Sequence, residues 1–349
     1  MNRAETVSTP RAEAGALQAF LATLAFERGS AEATGGALRA LINARLDRPP
    51  LPGHGETAAR WRALGAVAGF DLSVVKLYEG HTDAVAILAE LDEREPEAGN
   101  AWAVWAAEPP DARLTALGDA SNGSVLLQGT KAWCSGAASV THALVTAWNE
   151  GGEPILAAVA LDHPGVKVTG SGWSAVGMRA SASVEVRFER VPARCIGGAR
   201  AYLERPGFWQ GGAGIAACWF SAAAAIAQFV ARDVRKRPAP YKLAHLGAID
   251  TTLSATAALL RETATFIDRE PHAHAMAHAM RARLAAEGAA ACVIERAGRA
   301  LGAGPLCRDP HFAQLMADLP VFIRQSHAER DEAALAECVI EEEETSWQV

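Results

Sequence analysis

An α+β protein in three successive parts is what the sequence predicts. An N-terminal α-helical domain is expected over residues 1–99, a middle antiparallel β-barrel or sandwich domain over 100–196, and a C-terminal four-helix bundle domain over 197–349. Three observations carry this. Apolar residues recur without alternation before residue 100. Short β-rich runs cut by Gly and Pro follow it. Long Ala-rich runs return after about residue 197.

Before residue 100 the candidate helices are Ala14–Leu24, Ala37–Leu46, Ala58–Val67 and Asp83–Leu91. Pro49, Pro50, Pro52, Gly53 and Gly55 break the series. Thr82 or Asp83 is the expected cap of the helix that runs into Glu90-Leu91-Asp92-Glu93-Arg94. Asn122-Gly123 signals a tight turn. The strands expected after it are Ser124–Gln128, Ala143–Trp148, Ile155–Leu161, Val166–Thr169 and Val184–Phe188. In the last of these Val184, Val186 and Phe188 alternate with Glu185, Arg187 and Glu189, which predicts one buried and one solvated face. The C-terminal helices are expected over Gly214–Asp233, Leu243–Arg269, His274–Leu301 and Phe312–Glu342, with Pro238 and Pro240 between the first two. The acidic run Glu341–Glu344 reads as a solvated helix end or tail.

The 349 residues are ample for a large buried core, and the formal net charge of −7 with no extended basic run argues against a nucleic-acid partner. Six scattered cysteines without a CxxC pair read as reduced thiols of a cytoplasmic protein. No signal peptide is expected. Gly207 to Ala231 carries no charge and is long enough to span a bilayer, but its Ala- and Gly-rich content predicts a closely packed buried helix instead. His272, His274 and His278 lack a carboxylate companion, so a helix start on the surface is preferred to a metal site.

Residues 125–192 carry the chemistry. Gly129-Thr130-Lys131-Ala132-Trp133-Cys134-Ser135 precedes Trp173-Ser174-Ala175-Val176-Gly177-Met178-Arg179-Ala180-Ser181-Ala182-Ser183 and a strand ending at Pro192. This stretch closely resembles the β-domain of the acyl-CoA dehydrogenase superfamily of flavoproteins. The resemblance implies an acyl-CoA dehydrogenase-like fold, an FAD cofactor and a homodimer or homotetramer in which neighbouring subunits complete the flavin site. By match, Trp133, Cys134 and Ser135 contact the flavin; a flat aromatic ring needs an apolar wall and fixed polar partners at its edge. Arg179 and Ser181 organise a turn. Arg235, in Arg235-Lys236-Arg237, matches the family's pyrophosphate-binding arginine, with Arg237 next in line. Gly302 and Gly304 match its glycine loop near the cofactor's phosphates.

Two departures bear on the reaction. The upstream loop reads Ala106-Ala107-Glu108-Pro109-Pro110-Asp111, without the family's flavin-bonding Thr or its Gly-Ser-Asp. That weakens an acyl-CoA thioester substrate more than it weakens flavin. Aligning Ala317-Asp318 with the family's Arg-Asp then places Ser326 where the catalytic glutamate stands, and a serine is no unaided base. His327 and Asp331 are four apart, with Arg324 three before His327, so a continuous helix puts all three on one face. Alternatively Ser326 and Glu329 form a capping box that starts a helix. Glu329 as a displaced base is the third reading. The expectation is an FAD-dependent oxidoreductase in which His327 or Glu329, supported by Asp331, removes a proton as hydride passes to flavin. The alternatives are a flavin-dependent monooxygenase of the same superfamily, suggested by the histidine and following aspartate, and a non-catalytic scaffold.

Overall fold

The computed structural model describes residues 12–92, 96–109, 112–341 and 347. Glu93 and Arg94, Pro110 and Asp111, and residues 342–344 of the acidic run lie outside the described residues. The described residues open with four helices: α1 (Ala14–Thr23), α2 (Ala31–Asn43), α3 (Thr57–Phe70) and α4 (Leu72–Leu91). Ser30 caps α2 by accepting the amide of Ala33. The Pro- and Gly-rich break lies between α2 and α3.

The expected cap at Thr82 or Asp83 is wrong. Helix α4 starts at Leu72, well before the expected Asp83, and Asp71 caps it by accepting the amides of Ser73 (2.9 Å) and Val74 (3.0 Å). Thr82 instead lies inside the helix, its hydroxyl donating to the carbonyl of Glu79. Leu72, Val74, Val75, Leu77, Tyr78, Val85, Ile87 and Leu88 are all buried. A helix covered nearly all round carries no amphipathic stripe, so its β-branched first turns do not read as helix in the sequence.

Among the described residues seven strands follow: β1 (Trp102–Trp105), β2 (Leu114–Leu117), β3 (Ser124–Cys134), β4 (His142–Trp148), β5 (Pro154–Ala160), β6 (Val166–Val168) and β7 (Val184–Cys195). The pairings β4-β2-β3-β7-β5 return from β5 to β4 and so close a ring, with β1 on β4 and β6 on β7. The sheet is not wholly antiparallel, because β1 and β2 both run parallel to β4. Gly123, at φ +77°, turns β2 into β3. Of the predicted alternation, Val186 and Phe188 are fully buried and Arg187 and Glu189 exposed, while Val184 and Glu185 at the start of β7 are both half-buried.

Helices then return: α5 (Ala201–Glu204), α6 (Pro206–Lys236), α7 (Pro240–Arg269), α8 (Met276–Leu301), α9 (Ala303–Arg308), α10 (Pro310–Phe322) and α11 (Glu329–Glu341). Helix α6 is central and packs on α3, α4, α7, α8 and α10. Small residues let α4 come close: a Cβ on Gly207 would lie 2.2 Å from Glu90 Oε2, and one on Gly211 2.9 Å from Asp83 Oδ1. By length and composition α6 and α7 are both able to cross a membrane, but 67% of the most apolar window of α6 is buried inside the protein against 17% of that of α7. The expected single helix Phe312–Glu342 is broken. Helix α10 ends at Phe322, a 3-10 turn covers Ile323–Gln325, and Ala328 takes φ +46° before α11 begins.

Burial, and next the negative charge of Asp318, push the carboxyl of Asp71 up from 3.8 to about 6, against its amide bonds and Arg28. The folded state therefore holds a proton on Asp71 more tightly than the unfolded chain. Its contribution is full below pH 3.8 and is lost as the pH rises through about 6. Asp71→Asn keeps a carbonyl cap and removes the charge. Melting curves between pH 4 and 7 should show a flatter pH dependence and no loss of Tm at pH 7, whereas Asp71→Ala should cost about 1 kcal/mol through the lost cap.

Candidate functional site

The sequence places the candidate site where β3 ends. Between Lys131 and Cys134 the β3–β7 register shifts, and Trp133 takes φ +54°. A bulge of this kind re-aims a side chain. Trp133 is left 51% exposed while Ala132 and Cys134 on either side are buried. Ser135 lies half-buried beyond it. Its hydroxyl shares a 2.8 Å hydrogen bond with Ser183, which pairs with Ser181 at 2.9 Å, and Ser181 donates to the carbonyl of Met178 at 2.8 Å. The indole N–H of Trp105 donates to the Ser135 carbonyl (3.2 Å). Trp133 and Ser135 thus form an open aromatic face beside a fixed polar edge. The thiol of Cys134 points the other way, into the core, where burial raises its pKa.

Behind this edge lies a buried charge network. Lys131, with a fully buried side chain, donates to the Thr146 carbonyl (2.8 Å), the Thr146 hydroxyl (2.7 Å) and Glu108 (3.3 Å). Glu108 also accepts from the Thr146 hydroxyl (2.8 Å) and the Trp148 indole (2.9 Å). Burial favours the neutral carboxyl of Glu108, but Thr146, Lys131 and Trp148 outweigh it and lower its pKa. Burial also lowers the pKa of Lys131, with Glu108 opposing. Glu108 is thereby tied to the sheet, occupied by Thr146 and Trp148 rather than presented at the Trp133 face.

The Met178 turn joins this sheet to the C-terminal helices. The Met178 amide donates to Asp318 Oδ1 of α10 at 2.5 Å, and Gln314 donates to the same oxygen at 2.8 Å. Asp318 is fully buried, which raises its pKa. A Cβ on Gly177 would lie 2.0 Å from the carbonyl oxygen of Ala317, so no side chain fits there.

The residues proposed for proton transfer follow α10. Ser326 is buried, and its hydroxyl accepts the amide of Ala328 (3.2 Å). The capping box with Glu329 does not form. Asp331 takes the place of its acid, accepting the His327 amide (3.1 Å) and meeting His327 Nδ1 at 3.3 Å. Because the helix breaks here, Arg324 leaves the His327 face and pairs with Glu287 of α8. The His327 side chain is 66% exposed, and Glu329 is exposed at the start of α11. Arg283 of α8 connects this corner to the interior. It donates to the carbonyls of Gly212 (3.1 Å) and Gln325 (3.1 Å) and lies over Trp219, 5.1 Å from the ring centroid.

The other cofactor candidates lie elsewhere. Arg235 is exposed in the last turn of α6. Gly302 closes α8 at φ +64°, and Gly304 is exposed in α9. Of the histidines, His274 meets the edge of Trp209 and His278 stacks 3.6 Å from Phe266. Sequence reasoning missed the polar face of α4, where Lys76 and Glu79 pair at 3.4 Å. The only signal was a Lys-x-x-Glu spacing that ordinarily marks a solvated helix face.

No protein-family model matches the sequence, and no curated protein matches it. Solved structures do. The dibenzothiophene monooxygenase TdsC from Paenibacillus sp. A11-2, in complex with FMN and indole, is 19% identical with TM-score 0.74, over 93% of this chain and 95% of that one. Methanesulfinate monooxygenase MsuC from Pseudomonas fluorescens is 19% identical with TM-score 0.76, over 94% and 96%. Nitrososynthase from Micromonospora carbonacea var. africana is 21% identical with TM-score 0.74, over 93% and 94%. The present chain shares the fold of these proteins.

Gly177→Ala forces apart the Met178 turn and α10. We expect it to cost roughly 2–3 kcal/mol, read as a fall in Tm of several degrees and as increased hydrogen exchange at the Met178 amide.

Proposed function

We propose that this protein is a flavin-dependent oxidoreductase that uses oxygen, a monooxygenase on the acyl-CoA dehydrogenase-type scaffold. The observation that carries the flavin reading is the half-exposed Trp133 turned out of β3 by the bulge, next to the serine-anchored edge at Ser135. An indole of this size exposed on a well-packed strand is the wall that a planar ring needs. The residues present fit a flavin ring. When bound in reduced form it would supply the two electrons that allow one atom of dioxygen to enter the substrate and the other to leave as water. Trp133 would then pack on the ring, and Ser135, held by Ser183, would orient it.

Oxygen use is preferred to acyl-CoA dehydrogenation for a physical reason. A thioester α-proton needs a desolvated base with a raised pKa. At the matching position Ser326 is spent on a turn, and the nearby Glu329 is exposed. The exposed His327, aligned by Asp331, is the group we assign to proton exchange with the substrate or solvent. The similar structures support this reading: the monooxygenase TdsC binds FMN, and MsuC is also a monooxygenase.

Arg235, Gly302 and Gly304 remain our candidates for the phosphate end of the cofactor, contributed by a second copy of the chain. Helix α7 supplies a surface for it, since Tyr241 and Leu243 are 57% and 52% exposed on an apolar helix. Sedimentation should therefore give a dimer or tetramer, and Arg235→Ala should weaken flavin binding without altering the fold.

The decisive experiment follows the visible spectrum of the protein mixed with FMN or FAD, then oxygen uptake with NADH and a flavin reductase. Trp133→Ala should weaken flavin binding about tenfold, the loss of one stacking contact. His327→Ala should leave flavin binding intact and slow turnover. Anaerobic bleaching of bound flavin by an acyl-CoA thioester would replace this reading with dehydrogenation, and failure to take up either flavin would leave the scaffold reading.

A further inference from the structure

Each serine hydroxyl at the ring edge has one proton to donate, and the string Ser135–Ser183–Ser181 ends on a group that can only accept. Ser181 Oγ lies 2.8 Å from the carbonyl oxygen of Met178, so the Ser181 proton points there. The same carbonyl accepts the Ser181 amide (3.1 Å) and the Trp173 indole (3.2 Å), which makes it the electron-rich end of the string. With its own proton spent, Ser181 accepts from Ser183 at 2.9 Å. Ser183 in turn accepts from Ser135 at 2.8 Å. The protons therefore run in one sense, from Ser135 through Ser183 and Ser181 to Met178. The reverse sense would leave two oxygen lone pairs facing each other at 2.8 Å beside Met178. Ser181 and Ser183 are both buried, so water does not reset the direction.

The neighbouring donors are spent inside the protein as well. The Ser135 amide donates to the Trp133 carbonyl (3.0 Å), the Gly136 amide to the Ser181 carbonyl (2.8 Å) and the Ala137 amide to the Cys134 carbonyl (3.3 Å). The Ser135 carbonyl is taken by the Trp105 indole (3.2 Å). What half-buried Ser135 can still offer a ligand is a lone pair of its hydroxyl oxygen. A flavin ring changes its own hydrogen bonding at N5. The oxidised ring carries a lone pair there and the reduced ring an N–H. Against an oxygen that only accepts, the reduced ring gains a hydrogen bond, whereas the oxidised ring meets a second lone pair.

We propose that Ser181 and Ser183 are positioning residues that set which redox state of flavin this site accepts. They draw the Ser135 proton inward, and Ser135 then selects the reduced ring through its N5–H. The assignment rests on the flavin site lying at Trp133 and Ser135. It makes the redox preference of that site a property of two serines buried behind the ring edge.

The test measures the dissociation constants of oxidised FMN and of dithionite-reduced FMN with the full chain, both without oxygen. The native protein should bind reduced FMN at least ~10-fold more tightly, the reach of one hydrogen bond set against an unpaired acceptor. The two-electron midpoint potential of bound FMN should then lie about 30 mV or more above that of free FMN, the equivalent of that tenfold ratio. Ser183→Ala removes the acceptor of the Ser135 proton and frees the hydroxyl to donate to oxidised N5, so the ratio should fall to about one or invert. Ser135→Ala should also bring the ratio to about one. A role in packing alone would weaken both forms together and leave the ratio and the potential unchanged. Equal binding of the two forms by the native protein, tighter binding of the oxidised form, or a preference that survives Ser183→Ala overturns the proposal. The native ratio decides even if a variant fails to fold. Uptake of neither form overturns it together with the flavin reading, whereas uptake of both with equal affinity counts against this inference alone.

Discussion

The hydrogen bond from the Met178 amide to Asp318 is the contact on which the arrangement of the site depends. It is buried and charge-assisted, and it joins a turn of the sheet to a helix 140 residues away. Everything at the ring edge hangs from that turn. Met178 receives the Ser181 hydroxyl, Ser181 pairs with Ser183, and Ser183 holds Ser135. On the helical side, Asp318 lies two turns before Ser326, where α10 gives way to the His327 corner. One carboxylate thus references both halves of the proposed chemistry to one point. Its second oxygen is buried without a partner. Leaving a carboxylate oxygen so is costly, and its raised pKa is the consequence.

Helix α4 is the second fixed element. Its buried His81 accepts the amide of Trp102 at Nδ1 (3.1 Å) and meets Asp47 through Nε2 (3.1 Å), which ties the helix to β1 and to the loop after α2. Since Nδ1 accepts, the proton must sit on Nε2, facing Asp47. Farther along, Glu90 accepts the amide of Gly207 and so anchors the start of α6. The same helix thus carries polar groups at His81 and Glu90 and, between and before them, Lys76, Glu79 and Asp83. The difference lies in their partners. His81 and Glu90 are matched to named donors and acceptors, whereas Asp83 keeps an oxygen unmatched.

The sequence was legible where local chemistry and tertiary structure agree. Asn122-Gly123 and the alternation of β7 gave strands because turn preference and burial ask for the same thing there. β1 and β2 were missed. Each is four residues long, too short to show an alternation, and β1 pairs in parallel with β4, a partner far along the chain. The start of α4 was missed because burial on every side erases the helical stripe. Trp133 and Ser135 were readable as a motif, but not the bulge that turns the indole outward. The His327–Asp331 pair was readable from spacing, while the break at Ala328 was not, since a buried Ser326 that bonds its own turn leaves no mark in composition. Lys76 and Glu79 were invisible for the opposite reason: their spacing is so ordinary on solvated helices that only burial gives it meaning.

That burial bears on the reaction. A dehydrogenase acting on an acyl chain needs an apolar tunnel with one desolvated carboxylate at its mouth. After α10 stand an exposed histidine and a serine tied into a turn, while Glu79, paired with Lys76, stands on α4. An interior carboxylate paired with a lysine is suited to holding a polar group still, and an exposed imidazole near a carboxylate is suited to exchanging protons with water. The two features divide holding from proton traffic between separate elements. That division fits oxygen transfer to a heteroatom, where no carbon acid has to be ionised and position decides the outcome.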